Sequence, residues 1–457
     1  MKSSDQVKHI ESNYNVSSIT YKNLSLWLEI RYRLFSKMFH GEETGLKINS
    51  QTYLNVIKSA FYGFFNWFKK YDAWFLSNSS NRLEINGRYY DRFFDYPASK
   101  YNKSLFIELT TDKHFPKKSV SSQYIVSRSP LILAEKFISF FINVKKLDLN
   151  ILESIKQDYQ IDFDATYSIK KMVAQYRVMS FLLKFSKPKV IFIAPSYTAF
   201  GYMKAFNERK INVVEVQHGV IIKEHFGYNI GPGFDRNYFP DYLLTFGGQE
   251  SQVFDTENNF IANNKVVPVG SFYLEHINSE FQPSKIIDDL TSNFKFSFTV
   301  SLQDVESGEK LVPFIINTAK KNQNIIFILQ PRRKPKKYYT STYNLPNNVV
   351  VSEKLNIYEL ILNTDGHISV YSTCALEAPA LGKQNILVNI DGKSKEIFGN
   401  TLVEKTTTQY VNTEIELQDC LVNFEALSPK VIQKAHKDVL KSNYKVNMDS
   451  FLNRINE

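Results

Sequence analysis

The residues best equipped for chemistry lie in Glu215-Val216-Gln217-His218-Gly219-Val220. Ile211, Val213, Val214 and Val216 predict a buried strand over 211–216, and Gln217-His218-Gly219 is expected to leave the core at its carboxyl end. Ligands of α/β proteins sit in the loops that leave the carboxyl ends of parallel strands. That puts an imidazole at the mouth of a cleft, and a glycine beside it allows close backbone approach. Glu215 is a candidate for orienting the ring, although a strand residue could equally point away. Lys223, His225 and the turn Gly231-Pro232-Gly233 follow in one loop, too rich in polar and turn residues for a plain connection. With Gln217 and with Ser196, at the end of the preceding strand, Lys223 and His225 form a candidate acceptor side. The competing reading is a lone histidine that merely closes a strand.

A second set lies further along. Arg332, Arg333 and Lys334 follow the predicted strand 325–329 and Gln330-Pro331, where three cations could clamp a diphosphate; the alternative is a solvated basic run through Lys336-Lys337. Ser301 and Gln303 end another strand. Ser372-Thr373 opens a helix whose free N–H groups suit phosphate, or is an ordinary cap. Glu377 lies about one turn on, among Ala375, Leu376, Ala378 and Leu381, and a carboxylate in so apolar a segment needs a partner such as a sugar hydroxyl pair. No metal is expected, since Asp288-Asp289 falls in a proposed linker rather than at a strand end.

The elements that must position these residues alternate. Strands are expected at 73–76, 105–109, 189–194, 211–216, 242–246 and 266–270, with helices at 131–144, 169–185 and 199–207 among them. After a linker near 276–292, strands at 296–300, 325–329, 349–351, 367–370 and 385–390 alternate with helices at 310–320, 357–362 and 374–381, and a mostly helical tail closes the chain. Such alternation gives parallel, doubly wound sheets. Ahead of them come helical additions from Leu24, and Leu54, Ile57, Phe61, Phe64, Phe65 and Phe68 recur at helical spacing. That helix packs on its own domain or lies on anionic lipid. Asn86-Gly87 predicts a hairpin turn.

At 457 residues, two domains are expected, 1–280 and 281–457. An apolar share of 43% excludes disorder. A formal charge of +10 with 36 Phe and 27 Tyr suits anionic partners. The two cysteines, Cys374 and Cys420, build no disulfide framework, which favours a reducing compartment. No stretch reaches the roughly 18 apolar residues of a spanning helix, and the amino terminus shows no signal peptide. A cytoplasmic protein is expected, peripheral at the inner face of the cell membrane at most. The aromatics follow core faces rather than a stacking platform, so nucleic acid is not an expected partner.

These residues carry a resemblance. Ser372-Thr373-x-x-x-Glu377-Ala378-x-x-x-Gly382-Lys383 resembles the donor motif of GT-B glycosyltransferases and of the related sugar-nucleotide 2-epimerases. Trp27-Leu28-Glu29-Ile30-Arg31, Asn86-Gly87-Arg88-Tyr89-Tyr90-Asp91-Arg92 and Glu215-Val216-Gln217-His218-Gly219 with Gly227-Tyr228 are similar to pieces of bacterial capsule and O-antigen assembly enzymes. The likeness spans roughly residues 24–390 and implies two Rossmann-like domains facing across a cleft, with extra N-terminal helices. It implies a Leloir transferase with a nucleotide-sugar donor on the carboxyl domain and a glycan or lipid-linked acceptor on the amino domain. A related His-Gly step in polymer-forming glycerophosphotransferases supplies a catalytic base, a role carried here to His218 alone. Two departures stand out. Pro379 falls inside the donor helix, and Gln330-Pro331 stands where some sialic-acid and Kdo transferases carry His-Pro. A phosphosugar or glycerol-phosphate donor, 2-epimerisation, and a polyanion-binding protein are the alternatives.

Overall fold

Strands that are apolar on both faces are stable only when covered on both sides, and such runs build parallel sheets. The computed structural model describes residues 3–40, 50–110, 113–255, 258–303, 305–332, 334–352 and 355–456, and contains one seven-stranded and one six-stranded sheet. The chain divides into two compact units. The first comprises Met1–Thr245, Glu250–Pro268 and Lys445–Glu457, the second Phe246–Gln249 and Val269–Tyr444.

In the first unit β1 (Ala73–Asn78), β2 (Ser104–Leu109), β3 (Tyr124–Ser127), β4 (Val190–Ile193), β5 (Asn212–Val216), β6 (Tyr242–Thr245) and β7 (Val266–Pro268) lie in the order β7-β6-β5-β4-β1-β2-β3. All pairs are parallel. Phe75 stacks on Phe106 at 5.1 Å and on Phe192 at 4.9 Å, which ties the three central strands. Each of these buried rings contributes roughly 2–3 kcal/mol. Strand order reverses between β1 and β4, and that reversal opens a crevice at their carboxyl ends. Asn86 and Gly87 have φ of 51° and 77° in the hairpin of Arg82–Ile85 and Arg88–Asp91, as the Asn-Gly pair predicts.

Three elements differ from expectation. The strand β3 is too short to show a period. Helix formation starts at Trp27, because Leu24–Ser25 pairs with Thr20–Tyr21. The helix expected through Phe68 stops as Ser50–Ser59, and Gly63, at φ 69°, turns the chain into a separate 3-10 segment, Phe64–Phe68.

The second unit contains β8 (Phe296–Ser301), β9 (Ile325–Gln330), β10 (Val349–Val351), β11 (Gly366–Ser369), β12 (Gln384–Val388) and β13 (Thr408–Val411), ordered β10-β9-β8-β11-β12-β13 and parallel throughout. Its reversal lies between β8 and β11. The short edge strand β13 gives no clear sequence signal. The expected linker holds helices Phe272–Ser279 and Lys285–Thr291, the first with Phe272, Tyr273 and Leu274 buried, so the second unit begins at Val269 rather than 281. The tail does not stay with it. Tyr96 donates to Asp449 at 2.9 Å, and the rings of Tyr242 and Phe451 lie 5.3 Å apart, which ties the final helix into the first unit.

Candidate functional site

In the first unit His218 follows β5, and the loop after β4 brings Tyr197 to it, with Tyr197 Oη 3.4 Å from His218 Nε2. The opposite nitrogen, Nδ1, is out of reach of solvent and has no hydrogen-bond partner. Burial pushes the imidazole down to about 3, helped by the nearby charges of His225 and Arg92. The ring is therefore neutral at physiological pH. In the tautomer that directs Nε2–H at Tyr197, Nδ1 presents a lone pair. A buried polar atom without a partner costs about 1–3 kcal/mol, and ligands or water commonly complete such atoms.

Helix Trp27–His40 builds the frame. Arg31 donates to Phe226 O and, at 2.6 Å, to Asn229 O, while Glu11 receives Arg31 Nε at 2.6 Å and Trp27 Nε1 at 2.8 Å. Glu29 holds Lys171 at 2.6 Å, and Lys171 donates to Thr198 O at 3.0 Å. One helix thus fixes the loops on both sides of the imidazole. Gly227 is required for that closeness, since a Cβ there would lie 2.6 Å from the Tyr197 ring. The Trp27–Arg31, Arg92, His218 and Gly227-Tyr228 sequence blocks therefore belong to one constellation.

Several expected roles change. Gln217 does not leave the core. It is fully buried and donates to Gly219 O at 2.9 Å and Glu250 at 3.0 Å, a structural tie. Glu215 does not orient His218: its carboxylate accepts from Tyr228 Oη at 2.8 Å and Ser196 N–H at 3.3 Å, because strand alternation sends the side chain the other way. Burial raises that carboxyl to about 7. Ser196 is itself buried, and its side chain as well as its N–H faces the Glu215 carboxylate. His225 accepts from Gly227 N–H at 3.1 Å and stacks on Phe226, so it shapes the turn. Lys223 is exposed and pairs with Asp255 at 3.3 Å. It borders a cavity of about 920 Å³ that is also lined by Tyr14, Asn229, Gly231 and Gly233; His218 is not among the lining residues.

In the second unit the reversal between β8 and β11 gathers polar side chains. Ser301 Oγ lies 2.8 Å from His367 Nε2 and 2.9 Å from Ser369 Oγ, and Ser369 Oγ accepts from Ser372 N–H at 3.4 Å. His367 Nδ1 meets Asn385 Oδ1 at 2.8 Å, while Asn385 Nδ2 donates to Ala375 O at 2.7 Å. That last bond has a local cause. Pro379 has no N–H to offer the carbonyl four residues earlier, so Asn385 supplies the missing donor and the short helix Cys374–Ala380 survives with proline inside. Burial pushes His367 down to about 4, leaving a neutral ring as part of the site floor.

Glu377 is buried and accepts from Tyr358 Oη at 3.0 Å. The partner its apolar segment demanded is thus at least partly supplied within the protein. Ser372 accepts from Cys374 N–H at 3.3 Å, a capping role, and Thr373 precedes the helix. Gln303 is half-buried. Gln330, opposite Ser301 in the strand register, carries a buried Oε1 without a partner. Arg332 is exposed, and Arg333 lies outside the described residues. Sequence reasoning overlooked His367 and Asn385, which read as ordinary strand residues. Tyr197 and Tyr228 likewise carried no role of their own.

No protein-family model matches the chain, and no curated protein matches it in sequence. Solved structures do. The UDP-GlcNAc 2-epimerase of Methanocaldococcus jannaschii aligns with a TM-score of 0.51 at 12% identity, over 85% of this chain and 100% of that one. The S. aureus MnaA–UDP co-structure aligns with 0.50 at 10%, over 84% and 96%. A calicheamicin glycosyltransferase aligns with 0.49 at 11%, over 85% and 98%. At these identities the likeness establishes the fold alone: two parallel Rossmann-like sheets of the GT-B kind.

Proposed function

We propose that this chain is a glycosyltransferase that moves a sugar from a nucleotide-activated donor to a bacterial surface polysaccharide or lipid-linked acceptor. The observation that carries the reading is the neutral His218 imidazole with an unpartnered Nδ1 at the carboxyl end of a parallel strand. In this reading the His218 imidazole takes the proton of an acceptor hydroxyl as its oxygen attacks the anomeric carbon, and the nucleotide phosphate leaves on the opposite side, inverting the centre. A base held near 3 is weak on its own. An approaching anionic phosphate raises the imidazole toward working pH, because a nearby negative charge favours the protonated ring.

The second unit would hold the donor. Ser301, Gln303 and Gln330 border its strand ends, Ser372, Thr373, Arg332 and Arg333 would meet phosphate, and Glu377 would receive sugar or ribose hydroxyls. A second reading, 2-epimerisation of a sugar nucleotide, is supported by the fold likeness to the UDP-GlcNAc 2-epimerase of Methanocaldococcus jannaschii. Incubation with labelled UDP-, CMP-, GDP- and TDP-sugars separates the two. Acceptor-dependent release of nucleotide supports transfer. Sugar exchange with no acceptor present overturns it in favour of epimerisation.

A further inference from the structure

We infer that the first unit carries a docking surface for an anionic lipid bilayer, built from the segment around Phe64–Phe68 and the carboxyl end of helix Ser129–Phe140. The 3-10 segment lies along the edge strand β3. Ser127 N–H donates to Tyr62 O at 3.0 Å and Asn66 Nδ2 to Ile125 O at 3.2 Å, while a Cβ on Gly63 would fall 1.8 Å from Ile125 O. The backbone is thus committed to covering the sheet edge. Its rings point the other way: Phe61, Phe65 and Phe68 are 76%, 82% and 75% exposed.

Helix Ser50–Ser59 packs against helix Ser129–Phe140, with Ser59 Oγ 2.7 Å from Ser129 Oγ, and the latter ends in Phe137, Phe140 and Phe141, all at least 64% exposed. Isolated exposed rings are common on soluble proteins, but three within eight residues, with three more at the end of a helix of the same unit, are not.

Charge selects the occupant. Residues 50–70 contain no Asp or Glu, and Glu135, the one acid in 129–147, is turned to the Tyr202 hydroxyl. Lys58, Lys69, Lys70, Lys136 and Lys145, in the same two stretches, are all exposed. Exposed phenylalanines with exposed lysines beside them in sequence match the boundary between anionic headgroups and acyl chains. Rings enter that boundary, and lysines near the surface are attracted to its anionic headgroups. The inference stands apart from the proposed reaction, because none of these residues belongs to either polar constellation.

The test is flotation of the full chain with vesicles of phosphatidylcholine alone and of an equimolar mixture with phosphatidylglycerol. Binding to the mixed vesicles only, weakened by salt, is expected. Combined Phe61→Ser, Phe65→Ser and Phe68→Ser should reduce it about tenfold with the thermal midpoint unchanged. Lys69→Glu with Lys70→Glu provides a second variant that leaves the rings in place, with the same expected loss. Absence of binding, equal binding to both vesicles, or full binding by either variant overturns the inference. So does a stable dimer that the Phe variants dissociate, which would make the face a contact between two copies.

Discussion

Tyr228 donates its hydroxyl to Glu215 across 2.8 Å where neither side chain reaches solvent. The carboxyl is pushed up to about 7 and the phenol well above its ordinary range, both by burial. The pair is a neutral tie between β5 and the loop that follows His218, in the place where the sequence had offered a charged partner for the imidazole.

That tie has a pH signature. The folded protein keeps a proton on Glu215 that the unfolded chain releases above about 4.5. Its stabilising contribution is present below that pH and is lost as pH rises to about 7, a change of about 3 kcal/mol. Glu215→Gln should flatten this slope in denaturant titrations between pH 4.5 and 7. An unchanged slope would exclude a protonated Glu215.

Two buried imidazoles act in the opposite sense. Burial pushes both His367 and His436 down to about 4. Below pH 6.5 the unfolded chain takes up protons that these buried rings refuse. Each therefore contributes stability at neutral pH that is lost between 6.5 and 4, on the order of 3 kcal/mol apiece. Replacing either ring by Gln should therefore reduce the fall in urea midpoint on acidification through that window, and an unchanged dependence would exclude a depressed imidazole.

Asn385 is the pivot of the second unit's polar floor. Asn385→Leu strands both Ala375 O and His367 Nδ1, and should cost about 2–5 kcal/mol. Thermal unfolding measures this directly, and a loss below about 1 kcal/mol would show that the two bonds are dispensable.

His218→Ala should lower turnover by roughly 10²–10⁴ while donor affinity stays within about twofold, as expected for a general base. Calorimetry and turnover on the same preparation separate the effects. Equal turnover would remove the base assignment.

Glu377→Ala should weaken donor nucleotide binding by roughly tenfold, the loss of about one charge-assisted hydrogen bond. Tyr358→Phe keeps the carboxylate and should weaken binding less. If the two variants lose equally, Glu377 acts by holding Tyr358 rather than by touching the donor.

The sequence by itself determined the parallel sheets, most of their strands, the Asn-Gly hairpin and the polar strand ends, because these depend on apolar periodicity and local turn chemistry. It also singled out Trp27–Arg31, the Asp91-Arg92 step and Gly227-Tyr228, although nothing local said that they share one neighbourhood. Only tertiary structure decided that Arg31 clamps the 226–229 loop, that Gln217 and Glu215 turn inward, and that Asn385 replaces the donor missing at Pro379. Each of these depends on partners far along the chain, and strand register decides which side of a sheet a side chain takes. The same limit explains the phenylalanines of residues 61–68. Their spacing predicts an amphipathic helix, but Gly63, drawn tight against β3, ends it and leaves the rings facing outward.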